Sequence, residues 1–308
     1  MRIALISSPD CGRHDTGWSH PEHVGRLRGI PRALRNDYEL FTALEHLEGR
    51  HARADEVCLA HDAGYVDVVR AIAAAGGGRL DADTVVSEGS WDAATAGAGC
   101  VLDAVDRVLD GRNERAFCAV RPPGHHALRA AGMGFCLFGN VAIGAHYARK
   151  RYGAERVLIV DWDVHHGNGT QALVEHERDI HFVSMHQWPW YPGTGAAEDR
   201  GPHRNVWNVP MRGSLEPTAY VDALRAAIDA ATTGFVPDLV MISAGFDSLR
   251  GDPLGAFTLE YEDFEGLTRF LVERAESWCG GRVVSALEGG YAPERTAVAC
   301  VRHMRALE

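Results

Sequence analysis

Short apolar runs alternate along the chain with longer segments in which apolar residues recur every three to four positions. The short runs predict β-strands at 3–7, 117–120, 157–160, 180–184, 239–243 and 283–287. The longer segments predict helices at 24–36, 62–75, 91–110, 138–151, 216–231, 260–279 and 293–306. Several strands are continuously apolar, which is expected of strands that are covered on both faces.

This alternation predicts an α/β fold, in which an open parallel sheet has helices on both faces. No linker-like tract divides the chain, and Gly76-Gly77-Gly78 is expected to be a turn, too short to separate domains. We therefore predict that residues 1–308 form a single domain. Ligands of such sheets bind at the carboxyl ends of the strands, so the residues that follow each strand are candidates for function.

Composition and charge argue against several classes of function. The formal net charge is −11, and the one basic tract, Arg149-Lys150-Arg151, ends a predicted helix, so no nucleic-acid partner is expected. The apolar runs are far shorter than the ~20 residues that span a bilayer, so no membrane partner is expected either. The N-terminal residues do not resemble a signal peptide, and we expect a cytoplasmic protein. Seven widely spaced cysteines without a Cys-x-x-Cys motif are expected to be reduced thiols.

Candidate metal ligands follow two of the predicted strands. Asp163 and His165 come after strand 157–160, and Asp247 comes after strand 239–243. Two residues apart in an extended segment, Asp163 and His165 point the same way, and their donor atoms suit a divalent metal such as Zn²⁺. Asp247 is the best placed third ligand. Three protein ligands leave a position for water, as in catalytic zinc sites, although the same ligands also accept Fe²⁺.

Candidate proton-transfer residues follow the strand at 117–120. His125 and His126 come directly after a rigid Pro-Pro-Gly turn. Hydrolysis of an amide needs a base that takes a proton from water and an acid that protonates the leaving amine. Imidazole suits both roles near neutral pH. Asp161 and Asn168 flank the metal-binding segment, where they are placed to orient the two imidazoles.

A phenol follows the last predicted strand, where Tyr291 comes after Gly289 and Gly290. The glycines allow close backbone approach and movement of the loop. The phenol O–H is a suitable donor to the oxyanion of a tetrahedral intermediate beside a metal. The sequence contains no phosphate-binding loop, no nucleophile elbow and no His-Glu-x-x-His motif.

Six motifs carry a resemblance to a known family. They are Arg-Pro-Pro-Gly-His-His at 121–126, Gly-Phe-Cys-Leu-Phe at 134–138, Asp-Trp-Asp-Val-His-His-Gly-Asn-Gly at 161–169, Tyr-Pro-Gly-Thr-Gly at 191–195, Ser-Ala-Gly-Phe-Asp at 243–247 and Glu-Gly-Gly-Tyr at 288–291. In this order they resemble the histone deacetylase and acetylpolyamine amidohydrolase superfamily, and in particular bacterial class II-like histone deacetylases. The resemblance implies an arginase-like fold and zinc-dependent hydrolysis of N-acyl amides, with acetyl-lysine as the leading substrate type.

The resemblance also implies a role for each matching residue. The zinc ligands are Asp163, His165 and Asp247; the catalytic residues are His126 as base and acid, His125 beside it, Tyr291, Asp161 and Asn168. The acyl-lysine channel and its rim are formed by Gly134, Phe135, Tyr191, Leu254, Asp83 and Gly289. A structural K⁺ site is formed by Asp161, Asp163, His165, Ser184 and Met185, and an internal acetate pocket lies near Arg26.

Three positions depart from one or another branch of the superfamily. Class I members have Asp where this chain has Asn168, whereas class II-type members share the Asn. The polyamine-specific branch has Glu where this chain has Leu254, so the resemblance favours a neutral-tailed amide over an acetylpolyamine. Tyr191 has a hydroxyl where many relatives have Phe.

Other interpretations stay open to different degrees. An arginase-like ureohydrolase would need two Mn²⁺ ions and an Asp-x-Asp pair, which Asp247-Ser248-Leu249 lacks. A non-catalytic acyl-lysine-binding module would have lost a ligand, the base or the phenol, and all are present. Acetylated polyamines or other acetylated metabolites remain alternative substrates. The sequence does not fix the acyl length, and a homo-oligomer remains an alternative to a monomer.

Overall fold

A computed structural model describes residues 3–308 and contains ten strands. They are β1 (Ala4–Ser7), β2 (Glu45–Glu48), β3 (Gly77–Arg79), β4 (Val85–Ser87), β5 (Arg115–Cys118), β6 (Val157–Asp161), β7 (Ile180–Gln187), β8 (Val206–Met211), β9 (Leu239–Ala244) and β10 (Val283–Leu287). Eight of them form one parallel sheet in the order β2-β1-β5-β10-β9-β6-β7-β8, and β3 pairs with β4 in an antiparallel hairpin.

Helices cover both faces of this sheet. They are α1 (Gly25–Asn36), α2 (Tyr38–Ala43), α3 (Ala54–Val57), α4 (Ala63–Ala74), α5 (Ser90–Leu109), α6 (Asn140–Tyr152), α7 (Asn168–Val174), α8 (Pro217–Thr232), α9 (Tyr261–Cys279) and α10 (Pro293–Ala306). The predicted single-domain α/β fold with an open parallel sheet is confirmed. Within residues 3–308, none of the helices combines the length and the apolar character needed to cross a membrane.

The central strands explain why continuous apolar runs occur in the sequence. Ile159 of β6 and Met241 of β9 pack into the apolar cluster formed with α4, α5 and α6. Their neighbours Leu158, Val160 and Ile242 pack into the opposite cluster, formed with α1, α8, α9 and α10. Because successive side chains in a strand point to opposite faces, a strand buried on both faces is apolar at every position.

The structure corrects the predicted elements at several places. The strand predicted at 117–120 is β5 and begins at Arg115, whose buried guanidinium donates to Leu307 O at 3.0 Å and to Glu276 Oε1 at 2.6 Å. The predicted glycine turn is only partly a turn, because Gly77 begins β3. A Cβ at this residue would lie 2.7 Å from Val86 O of the paired strand, so the hairpin requires glycine there.

Candidate active site

The four central strands, β5, β10, β9 and β6, are consecutive in the sheet. The polar segments that follow them therefore meet at one edge, as expected for the carboxyl ends of parallel strands. The loop after β5 carries His125 and His126, and the loop after β6 carries Asp163 and His165. The loops after β9 and β10 carry the remaining predicted residues, Asp247 and Tyr291.

The structure brings the three predicted metal ligands together. Asp163, His165 and Asp247 are buried, and their potential ligand atoms lie within 4.8 Å of one another. His165 Nδ1 lies 3.0 Å from Asp163 Oδ1 and 3.2 Å from Asp247 Oδ2. Burial and the charge of Asp163 raise the pKa of Asp247 to about 7, and its buried Oδ2 accepts no hydrogen bond within the described residues. A buried carboxylate oxygen without a donor, beside a second carboxylate, fits a divalent cation.

Two glycines allow the carboxylates to approach each other. A Cβ at Gly289 would lie 2.5 Å from Asp163 Oδ2 and even closer to Asp247 Oδ2, and a Cβ at Gly245 would overlap the carboxylate of Asp163. The backbone also fixes the orientation of both acids. Gly289 N donates to Asp163 Oδ2 at 2.8 Å, and Val164 N donates to Asp247 Oδ1 at 2.8 Å. Backbone amides therefore hold both carboxylates, and the two glycines leave the space for their close approach.

The two histidines differ in their partners. His125 Nδ1 donates to Asp161 Oδ2 at 3.0 Å, whereas His126 Nδ1 donates to Asn168 Oδ1 at 2.7 Å. The Asn168 amide is oriented by Met133, since its Nδ2 lies 3.4 Å from the Met133 sulfur. With its proton on Nδ1, neutral His126 has an unprotonated Nε2. This is the arrangement that a base acting through Nε2 requires.

The pKa values of the histidines shift in opposite directions. Burial and the charges of His125 and His165 lower the pKa of His126 well below its ordinary value. Burial also lowers the pKa of His125, but Asp163 and Asp161 outweigh it and raise that pKa well above the ordinary value. Two adjacent imidazoles with opposite shifts are typical of an acid–base site.

A cavity of about 280 Å³ opens above these residues. It is lined by Asp83, His126, Gly134, Phe135, His165, Trp190, Tyr191, Pro253, Leu254 and Tyr291. The ring of Phe135 lies 5.7 Å from that of Tyr291, and the ring of Tyr191 lies 5.1 Å from that of His126 and perpendicular to it. A side chain at Gly134 would overlap the His126 ring, so the narrow wall of this cavity requires glycine.

The phenol of Tyr291 is held by its backbone and by a buried cation. Tyr291 N donates to Asp252 Oδ2 at 2.7 Å, and the guanidinium carbon of Arg26 lies 4.8 Å from the centre of the Tyr291 ring. Arg26 Nε also donates to Gly290 O at 2.7 Å, while its Nη1 donates to Glu22 Oε1 at 3.0 Å. Burial raises the pKa of Tyr291 well above its ordinary value, so the phenol stays protonated and can donate a hydrogen bond.

The residues predicted for the K⁺ site and the channel rim lie in two further places. Asp161 ends β6 directly beside Ser184 of β7, and Met185 follows in the same strand, all of them buried. Asp83 lies at the rim of the cavity, where its backbone oxygen is 3.1 Å from His20 Nε2.

Three contributors to the site were missed in the sequence. Trp190 lines the cavity and donates Nε1 to Leu254 O at 2.9 Å; its position before Tyr191 in an aromatic run was the available signal. The ring of His20 lies 4.7 Å from that of Phe135. Glu288 is fully buried and contacts the turn that carries the histidines.

Comparisons with known proteins show the family and the fold of the chain. A family model described as histone deacetylase domain matches residues 20–307. The chain is 37% identical over 285 residues to the histone deacetylase-like amidohydrolase of Pseudomonas aeruginosa, covering 89% of this chain and 75% of that protein. It is 34% identical over 312 residues to a probable deacetylase of Methanothermobacter thermautotrophicus, covering 99% and 91%. The crystal structure of the HDA15 HD domain superposes with a TM-score of 0.92 at 34% identity, covering 99% of this chain and 88% of that one.

Proposed function

The chain belongs to the histone deacetylase family, whose members are hydrolytic deacetylases, and from that premise we propose that it removes acetyl groups from acetylated lysine side chains. The observation that carries the proposal is the convergence of two sets of groups on one narrow cavity. One set is the buried triad of Asp163, His165 and Asp247, and the other is His126 with Tyr291. This combination supplies metal ligands, a base and a hydrogen-bond donor within a single site.

The triad would hold one Zn²⁺, which when bound supplies Lewis acidity and lowers the pKa of a water molecule. His126 Nε2 takes a proton from the attacking water, and Asn168 holds the ring in the required tautomer. Tyr291 donates its O–H to the acyl oxygen as negative charge develops there. His126 then passes the proton to the leaving nitrogen. The products are a free amine and a carboxylate.

The cavity supports a linear, neutral substrate segment beside the reacting amide. The aromatic rings of Phe135 and Tyr191 provide flat apolar walls that suit the methylene chain of lysine. Leu254 lines the same cavity and offers no charge to a cationic polyamine tail. Asp83 also lines the cavity and would accept backbone N–H groups of a peptide substrate. These features favour acyl-lysine over acetylpolyamines.

Two accessory features complete the proposal. The buried edge formed by Asp161, Ser184 and Met185 would hold K⁺ as a structural ion, mainly through backbone oxygens. All seven cysteines are free thiols, six of them buried, which supports a reducing compartment such as the cytoplasm.

A side-by-side assay tests the substrate class. Initial rates are measured on an acetyl-lysine peptide, on acetylspermidine and on a lysine peptide with a longer acyl chain. We expect the acetyl-lysine peptide to have the highest kcat/KM, and Leu254→Glu to shift the ratio toward acetylspermidine. Clear preference of the wild type for acetylspermidine would overturn the lysine assignment, and preference for the longer chain would overturn the acetyl assignment. The His126→Ala variant tests the chemistry, because undiminished turnover would exclude His126 as the base.

A further inference from the structure

We propose that Glu288 is a positioning residue that holds the turn bearing His125 and His126, an inference that rests on the proposed function. Glu288 begins the Glu-Gly-Gly-Tyr segment after β10, and none of the roles assigned above includes it. Its side chain is fully buried and reaches from the end of β10 to the loop after β5. These two strands are neighbours in the sheet, so the contact joins two of the four loops that build the site.

One carboxylate oxygen of Glu288 accepts two consecutive backbone amides. Oε2 lies 2.6 Å from Gly124 N and 3.1 Å from His125 N. The other side of the turn is equally confined, because a Cβ at Gly124 would lie 2.6 Å from both Phe138 O and Asn140 N. A buried backbone amide that loses its acceptor is costly, so both bonds constrain the turn. The backbone that presents the two imidazoles is therefore held from both sides.

The backbone of Glu288 is itself anchored. Glu288 N donates to Ala244 O at 3.1 Å, and Glu288 O accepts a hydrogen bond from Arg26 Nη2. The same guanidinium bonds Gly290 O and lies over the ring of Tyr291. One short segment thus fixes the phenol through its main chain and the histidine turn through the Glu288 side chain. The geometry couples the two groups that must meet the same acyl carbonyl.

Fold stability alone does not account for an acid at this position. Burial raises the pKa of Glu288 to about 7, against the opposing effects of His125 and the Gly124 amide, and Oε1 accepts no hydrogen bond within the described residues. Well-packed apolar side chains often replace buried charges without loss of stability. A retained, partly unsatisfied acid is instead common where geometry serves function.

Glu288 also lies near two other potential ligands. Side-chain atoms of His125, Cys136 and Glu288 lie within 4.8 Å of one another. However, each of the three side chains already has a protein partner: His125 Nδ1 donates to Asp161, Glu288 Oε2 accepts two amides, and Cys136 Sγ donates to Gly134 O at 3.4 Å. We therefore assign Glu288 to positioning and expect one divalent metal ion per chain, in the Asp163–His165–Asp247 triad. Two bound divalent ions in the wild type, reduced to one by Glu288→Gln, would overturn this assignment.

The test compares Glu288→Ala with Glu288→Gln. Alanine removes both acceptors, and we expect kcat to fall about 10- to 100-fold with KM within about twofold, because the misplaced base affects the transition state more than substrate binding. Glutamine keeps a carbonyl acceptor, so the fall in kcat should stay below about fivefold. Asp238→Ala is the matched control, since Asp238 Oδ2 accepts the consecutive amides of Glu155 and Arg156 at 2.9 Å each, at the opposite edge of the sheet. Its kcat should not change.

A double-mutant cycle separates positioning from a general structural role. If Glu288 acts through His126, adding Glu288→Ala to His126→Ala should lower the remaining rate by less than about twofold. A full additional loss in that background would overturn the positioning role. So would a Glu288→Ala variant with wild-type kcat.

Hydrogen exchange tests the contact without relying on turnover. The amides of Gly124 and His125 should exchange faster in Glu288→Gln and faster still in Glu288→Ala, whereas exchange at Glu155 and Arg156 should change only in Asp238→Ala. Unchanged exchange at the histidine turn would overturn the inference. An inactive wild type with the expected exchange pattern would instead overturn the proposed function and leave the Glu288 contact supported.

Discussion

At each end of the central strands, one carboxylate accepts hydrogen bonds from two consecutive backbone amides. We call these two ends the amino edge and the carboxyl edge of the sheet. At the amino edge, Asp238 accepts hydrogen bonds from Glu155 N and Arg156 N. Its side chain is partly exposed to solvent and lies near the Arg156 guanidinium. At the carboxyl edge, Glu288 makes the same pair of bonds inside the protein, where its second oxygen has no donor among residues 3–308. At the amino edge the carboxylate therefore stabilises a turn with little desolvation cost. At the carboxyl edge the same bonds are made by a buried acid, where burial of the charge opposes the stability that the bonds provide.

The same contrast extends to the other acids of the carboxyl edge. Asp247 is fully buried, and one of its oxygens accepts no hydrogen bond among residues 3–308. The carboxylate of Asp163 lies close by, because Gly245 and Gly289 have no side chains to occupy the space beside the two acids. In a protein interior, such proximity is unfavourable unless a cation compensates for it. The predictions below therefore ask whether each buried polar group serves the reaction, the metal or only the fold.

The largest effect is expected from removing a proposed metal ligand. Asp247→Ala should abolish stoichiometric Zn²⁺ binding and lower kcat/KM more than about 1,000-fold, because the remaining pair cannot hold the ion at low concentration. Metal content by mass spectrometry and the rate on an acetyl-lysine peptide measure both effects. Asp238→Ala, which alters only the amino edge, should retain full metal and activity. Equal metal content in the two variants would remove Asp247 from the ligand set.

A smaller effect is expected from the phenol. Tyr291→Phe keeps the ring over Arg26 but removes the hydroxyl, so kcat should fall about 100- to 1,000-fold while metal content stays at the wild-type level. Steady-state kinetics with a parallel metal assay separates this result from a loss of metal. A change confined to KM would mean that the phenol contributes to binding and not to the reaction.

Much of this arrangement was predictable from the sequence because its cause is local. The central strands are apolar at every position, and the polar segments that end them follow directly in the chain, as with Asp163 after β6. Strands β2 and β8, which are the outermost strands of the sheet, were missed. The residues of β2 are alternately half-buried and exposed, and β8 contains Pro210. Helix α7 was missed because it starts at Asn168, within the motif that was assigned to chemistry.

The contact that Glu288 makes could not be predicted from a single sequence. Its bond to Gly124 joins residues 164 positions apart, and no local pattern marks that pairing. The motif predicted that Glu288 lies at the carboxyl edge of the sheet, but it did not predict which residue it contacts. Likewise, the contact between Trp190 and Leu254 O depends on two loops that meet only in the folded chain. The roles of the catalytic residues themselves stay predictions until the variants are measured.

A substitution at Gly289 is expected to have an intermediate effect, on the affinity for the metal ion. Gly289→Ala would place a methyl group against Asp163 and Asp247, so the affinity for Zn²⁺ should fall about 10- to 100-fold, as for other changes that misorient metal ligands. Competition with a chromophoric chelator measures that affinity. Gly64→Ala in α4 is the control, because its added Cβ meets no atom within 4 Å and should leave metal binding unchanged. Equal affinities would show that the carboxylates can move apart freely.

The smallest effect on activity is expected from a buried polar group that belongs neither to the cavity nor to the triad. His303 on α10 bonds the hydroxyls of Thr268 and Ser285 at 2.7 and 2.8 Å, and burial lowers its pKa to about 3. Unfolded, its pKa would be about 6.5, so the unfolded chain binds the extra proton first as pH falls. The stability that neutral His303 supplies is therefore present at pH 7 and declines below pH 6.5.

This decline gives a measurable pH signature. From pH 7 to 4.5, the titration of His303 should remove about 2–3 kcal/mol from the free energy of unfolding, and His303→Gln should lose less over that range because it does not titrate. Denaturant unfolding at the two pH values measures the difference, with the exposed His176→Gln as control. At pH 7 the kcat of the His303 variant should match that of the wild type. Parallel pH dependence in the two proteins would mean that water reaches His303, while a fall in kcat would extend the functional region beyond the cavity and the triad.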